Sequence, residues 1–151
     1  MNARPAPTPT LHLPAFVPFR LNRLAVAVSN HLSVIYRERF GLDIPEWRVL
    51  VTVGCERGCT AQSIADSTRM HKTRVSRAIA HLETRGLLER ASHNEDRRAL
   101  ELQLTKAGRK MYQDLVPLAL ERERTLLSQL GKDELKGLLA GLTRLEQVLE
   151  L

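Results

Sequence analysis

The chain has 151 residues, with 23 Lys or Arg against 17 Asp or Glu and a formal charge of +6. That length suits one domain with a sizeable core, and 43% hydrophobic with 26% charged residues is ordinary globular usage, which excludes wholesale disorder. Nowhere do about 18 apolar residues run together, so no membrane span is expected. The proline-rich start lacks the apolar stretch of a secretory signal, and two cysteines are too few for a disulfide framework, so the cytoplasm is the expected compartment. Aromatics, at 4%, are too sparse for a surface that stacks on single-stranded bases. The charge is uneven: residues 1–57 carry +3, residues 58–110 carry +5 and residues 111–151 carry −2. A basic centre calls for an anionic partner, and an acidic, leucine-rich end calls for helix packing.

Residues 1–18 hold five prolines and read as a flexible or extended arm. From Phe19 to Phe40, Leu21, Leu24, Val28, Leu32 and Ile35 recur at three- and four-residue steps, which predicts a long amphipathic helix closed by Gly41. Asp43-Ile44-Pro45-Glu46 reads as a capping box opening a helix with Trp47, Leu50 and Val53 inward and Gly54 as its stop. Thr60 caps a short helix that buries Ile64 and Ala65. After a turn at Met70, a helix from Lys72 to about Arg85 carries the stripe Val75, Ala78, Ile79 and Leu82 and ends at Gly86. Two short helices so separated make a helix-turn-helix pattern.

The period then drops to two. Ala99 to Leu104 alternates as a half-buried strand, Leu87 to Ala91 is its partner, and Ser92 to Arg98 forms a charged hairpin tip, the wing. Thr105 caps a further helix reaching about Leu130, with Pro117 expected to kink it. Past Gly131, Leu135, Leu138, Leu139, Leu142, Leu145 and Leu149 line one side of a last helix, which needs either the first helix or a second copy of the chain to cover it. The fold class is therefore mainly α with a small β-hairpin wing.

With the stripe of the Lys72 helix inward, Lys72, Thr73, Arg74, Ser76 and Arg77 fall outward, with His81 one turn on. Arg donates twice to guanine O6 and N7 and the hydroxyls reach bases or phosphates, so this face suits a major groove. Arg97 and Arg98 beside Asp96 at the wing tip suit a narrow minor groove, where negative potential attracts inserted Arg. A solvated surface helix and a charged turn are the competing reading.

On these residues the chain resembles the MarR family of winged helix-turn-helix regulators from about Phe19 to Leu151. The matching stretches are Gly41 to Leu50, Lys72 to Arg77, Leu82 to Arg90, and Asp96-Arg97-Arg98 followed by Leu104 to Arg109. The resemblance implies a homodimer whose first and last helices (19–42 and 105–151) interlock, with residues 43–104 on a pseudo-palindromic DNA operator. It also implies that Asp96 and Arg98 serve the minor groove. His71 stands where relatives often carry Asp or Ser, so the cap of the recognition helix is left open. Members usually repress genes and leave DNA when an effector binds between the dimerising and DNA-binding parts. Residues 39–50 and 70–77 look like a branch governing aromatic-compound catabolism, whose effectors are aromatic acids or their CoA thioesters.

His31, Tyr36 and Trp47 are candidates for the effector pocket, with ordinary core packing as the alternative. Cys55 and Cys59 suggest a second reading, a redox-responsive regulator, although a lone cysteine usually packs as a small hydrophobe. A third is non-specific DNA coating. No spacing of the five histidines suits a metal, and no nucleophile–base pair or phosphate loop suggests catalysis, so no metal, cofactor or enzymatic activity is expected.

Overall fold

Proline marks where the first helix begins. In the computed structural model, which describes residues 10–91 and 101–151, α1 spans Val17–Phe40 with Pro18 in its first turn, where a missing N–H costs nothing. A single 3-10 turn, Leu13–Ala15, precedes it, so the last residues assigned to the arm are already folded. Gly41 adopts φ +62° and closes α1, its N–H donating to Arg37 O at 3.1 Å while Leu42 N–H donates to Tyr36 O at 2.9 Å. The Arg85 guanidinium, from 44 residues away, donates to the Gly41 and Phe40 carbonyls at 2.9 and 2.8 Å, so the carbonyl end of α1 is pinned from another element.

The predicted capping box opens α2 (Ile44–Cys55): Asp43 Oδ1 accepts from Glu46 N–H, and Glu46 Oε2 accepts from Asp43 N–H, both at 2.8 Å. Gly54 does not stop this helix as the sequence reading had it. It lies within α2, and a Cβ there would sit 2.4 Å from the Tyr112 ring, so the glycine exists to let Tyr112 approach. Thr60 and Ser63 form a second reciprocal box at the start of α3 (Ala61–Thr68). α4 covers Lys72–Thr84 and leads through Gly86, at φ +66°, into β1 (Leu88–Ala91).

β1 pairs antiparallel with β2 (Glu101–Leu104) in the register Leu88–Leu104, Arg90–Leu102. The residues preceding β2 in the predicted strand, Ala99 and Leu100, lie outside the described residues. A contact missed by pattern reading widens the sheet: Leu102 N–H donates to Cys59 O at 2.7 Å, tying the hairpin to the segment before α3. α5 runs Lys106–Leu127, capped by Thr105 Oγ1 accepting from Gly108 N–H at 3.0 Å, and continues through Pro117. α6 spans Lys132–Val148.

The core lies where α2, α3, α4 and the hairpin meet, with Val49, Leu50, Ile64, Val75, Ile79 and Leu82 sealed and Leu115 of α5 closing one side. The first helix departs from expectation. Its buried residues are Ser33 and Tyr36, while Leu21 and Leu24 of the predicted stripe are 40% and 56% exposed. Leu138, Leu139, Leu142 and Leu145 of α6 are likewise exposed.

Candidate nucleic-acid interface

The helix-turn-helix consists of α3, a turn and α4. Arg69 ends α3 in the left-handed region, φ +53°, which reverses the chain without a glycine. His71 then resolves the open cap: its Nδ1 accepts the Thr73 N–H at 3.2 Å, doing what Asp or Ser would do. All four predicted core positions of α4, Val75, Ala78, Ile79 and Leu82, are buried, so the helix cannot rotate without exposing them.

That orientation places Lys72, Thr73, Arg74, Ser76, Arg77 and His81 on the exposed side, as expected from the sequence. Arg74, Arg77 and His81 share a hollow of about 520 Å³ with Asp43, Pro45 and Glu46 at the start of α2. His81 is not a free surface side chain. Its Nδ1 is hydrogen-bonded to Glu46 Oε1, a pairing of residues 35 apart that no local pattern signals. The hairpin is held to the same helix, because Arg90 on β1 donates to Glu83 of α4 at 2.7 Å. Asp96, Arg97 and Arg98 lie outside the described residues.

The effector candidates divide. Tyr36 and Trp47 stack with ring centroids 5.2 Å apart and planes 11° from parallel. Tyr36 is 3% exposed, and burial raises its phenol pKa above the usual value. The pair packs α1 against α2, which is the core reading. His31 is not brought to them: it is exposed and five residues back along α1, well round the helix from Tyr36. A hollow of about 560 Å³ lies elsewhere, between the end of α2, the hairpin base and the start of α5, with Arg57 and Arg109 beside Val53 and Leu104.

The two thiols also differ. Cys55 is exposed and lies 3.1 Å from the Tyr112 hydroxyl. Cys59 is 2% exposed, and burial first, then the charges of Glu56 and Glu101, push its thiol up, away from the reactive thiolate. They are not joined as a disulfide. No helix among the described residues is long and apolar enough to cross a membrane.

Comparison with known proteins bears on the whole arrangement. Residues 40–99, which run from the end of α1 through the helix-turn-helix and into the wing, match the MarR family. The HTH-type transcriptional regulator BilQ of Clostridium symbiosum is 26% identical over 131 residues, covering 80% of this chain and 91% of its own. A crystal structure of a MarR/EmrR family transcriptional regulator from Acinetobacter sp. ADP1 superposes with a TM-score of 0.82 at 28% identity, over 93% of this chain and 99% of that one. The Staphylococcus aureus MepR–DNA complex has the same fold, with a TM-score of 0.76 at 22% identity over 88% and 98% of the two chains.

Proposed function

From a chain whose winged helix-turn-helix is of the MarR family of transcriptional regulators, we propose a ligand-responsive repressor that binds a pseudo-palindromic operator as a homodimer. The observation that carries this reading is the outward face of α4. A helix fixed by four buried residues and a capped N-terminus presents Lys72, Thr73, Arg74, Ser76 and Arg77 together. Guanidinium donors among hydroxyls match base edges and phosphates of a major groove. Residues 43–104 read DNA in this account, and Asp96, Arg97 and Arg98 act from the wing.

Residues 19–42 and 105–151 form the dimer. The exposed leucines of α1 and α6 support it, since so much uncovered apolar surface is unusual in a lone chain. Two-fold symmetry then sets two α4 helices about one DNA turn apart. The effector is a small aromatic acid or its CoA thioester, and the target genes serve aromatic-compound catabolism. Supporting this is the hollow between α2, the hairpin and α5, where Arg57 and Arg109, which would pair with a carboxylate, stand with Glu56 and Glu101 beside Val53, Ala91 and Leu104. An effector there shifts the population toward dimers with wrongly spaced α4 helices, and by linkage operator DNA weakens effector binding by the same factor.

Duplexes enriched from a random pool by the protein test the reading by gel shift at fixed salt. A repressor keeps a preference of about 10³ or more over random duplex, whereas a DNA-coating protein shows none. Arg74→Ala is expected to cost about 1–3 kcal/mol and relax base preference, and Arg98→Ala to cost about as much with the dimer intact. Equal losses on enriched and random DNA would make Arg74 a phosphate contact. A thermal-shift series of aromatic acids and aryl-CoA esters tests the effector class, because a ligand of the native state raises apparent stability.

A further inference from the structure

The contact between α2 and α4 contains a carboxylate with two separate tasks. Glu46 Oε2 closes the capping box on Asp43 N–H at 2.8 Å, and Oε1 is turned across the interface to His81 Nδ1. The Glu46 side chain is 7% exposed and that of His81 56%. An ionised carboxylate can only accept, and a buried one needs a donor at each oxygen, so opposite an ionised Glu46 it is Nδ1 that carries the proton of this bond. Nε2 lies across the ring from Nδ1 and so is turned from Glu46 Oε1, and the half-exposed His81 ring lines one hollow together with Asp43, Glu46, Arg74 and Arg77.

This geometry decides what Nε2 offers. With a single proton, on Nδ1, Nε2 is an acceptor and repels a phosphate oxygen. With a second proton Nε2 becomes a donor, and the imidazolium sits between the Glu46 carboxylate behind and an anion in front. Arg74, Arg77 and His81 follow at three- and four-residue steps on one side of α4, a cationic track about 10 Å long. The geometry points to a DNA-phosphate contact at His81 Nε2, made with uptake of one proton, for which Glu46 is the positioning residue. It rests on the DNA-binding reading above.

The charged groups around His81 are Asp43 and Glu46 from α2, which favour the second proton, and Arg74 and Arg77 of its own helix, which oppose it. On the other elements packed against α4, Asp66 of α3 is held by Gln62, and Arg90 of β1 by Glu83. A DNA phosphate in front of Nε2 tips the balance toward imidazolium. His71, at the far end of α4, uses its Nδ1 as the acceptor of the Thr73 N–H.

The test uses the wild-type chain, His81→Gln and Glu46→Gln on an enriched duplex at fixed salt between pH 6 and 8. The wild-type Kd is expected to rise about five- to tenfold across that range, and that of His81→Gln to stay within about twofold. Glu46→Gln keeps one acceptor for Asp43 N–H and is expected to bind with the same flat profile. Calorimetry in two buffers of different ionisation heat should show proton uptake on binding by the wild type and its absence in His81→Gln. The ¹⁵N signals of the His81 ring in the free protein should report the Nδ1–H form, and mixed forms in Glu46→Gln. Parallel pH profiles or equal proton uptake for wild type and His81→Gln overturn the phosphate contact. A loss that is uniform across pH in Glu46→Gln overturns its positioning role. Should Glu46→Gln unfold, the exposed His81→Gln change decides the phosphate contact and the wild-type ¹⁵N signals decide the role of Glu46, a form other than Nδ1–H overturning it. Failure of any duplex to be enriched or bound at any pH overturns the DNA-binding reading instead.

Discussion

The winged half and the last helix both carry leucine and valine on helix faces but treat them in opposite ways. In the former, Val49, Leu50, Ile64, Val75 and Leu82 are fully sealed; in α6 no residue is buried, and Leu142 and Leu145 stand 40% and 44% exposed. The winged half therefore gains its stability from its own chain, through apolar area removed from water and closed helix ends. α6 has an amphipathic stripe with nothing on it. Sequence periodicity shows that a face is apolar, and only the fold shows whether the chain itself covers it.

The largest effect expected from breaking this contrast is in the sealed half. Leu50→Ala should lower unfolding free energy by about 2–5 kcal/mol, read from denaturant titration of the whole chain, because the removed atoms leave a cavity in close-packed surroundings. Next comes the uncovered half. Replacing Leu142 and Leu145 together with lysine should raise the dissociation constant for self-association about a hundredfold in sedimentation, close to 2.7 kcal/mol. The backbone signals of α2–α4 should stay in place. An unchanged constant would leave the α6 stripe with no partner in a dimer. Last comes a difference in rate: iodoacetamide should label Cys55 about a hundredfold faster than Cys59, which waits for local opening. Equal rates would mean that the Cys59 site opens readily.

Much of the site was legible because its determinants are local. The stripe of α4, the Asp43 box, the Thr60 cap and the alternation of Ala99–Leu104 each obey rules that span a few residues, and each formed as read over the described residues. What escaped depends on residues far apart. The Glu46–His81 bond, the Cys59–Leu102 bridge and the Arg85 pins on α1 join segments whose closeness is a product of the fold. Gly54 was misread for the same reason, since its role is set by Tyr112, 58 residues on. His31 is different. Its five-residue offset from Tyr36 already separates the two on a helical wheel, so the signal was present in the sequence. Leu21 and Leu24 were legible as an apolar face but not as an open one.

Thr105 ties the hairpin base to α5 at several points within one turn. Its hydroxyl donates to Gly86 O at 2.7 Å and accepts from Gly108 N–H, while its own N–H donates to Leu87 O at 3.1 Å. Gly108 lies so close that a Cβ would stand 2.0 Å from the Leu87 carbonyl oxygen. There is no slack in this joint, so the strand base and the 22-residue α5 must tilt as one lever. Such a helix is about 33 Å long. A shift of only about 3 Å at its far end, among the residues proposed to form the dimer, turns the strands at its near end through about 5°. The joint converts a small translation in one half of the molecule into a rotation in the other.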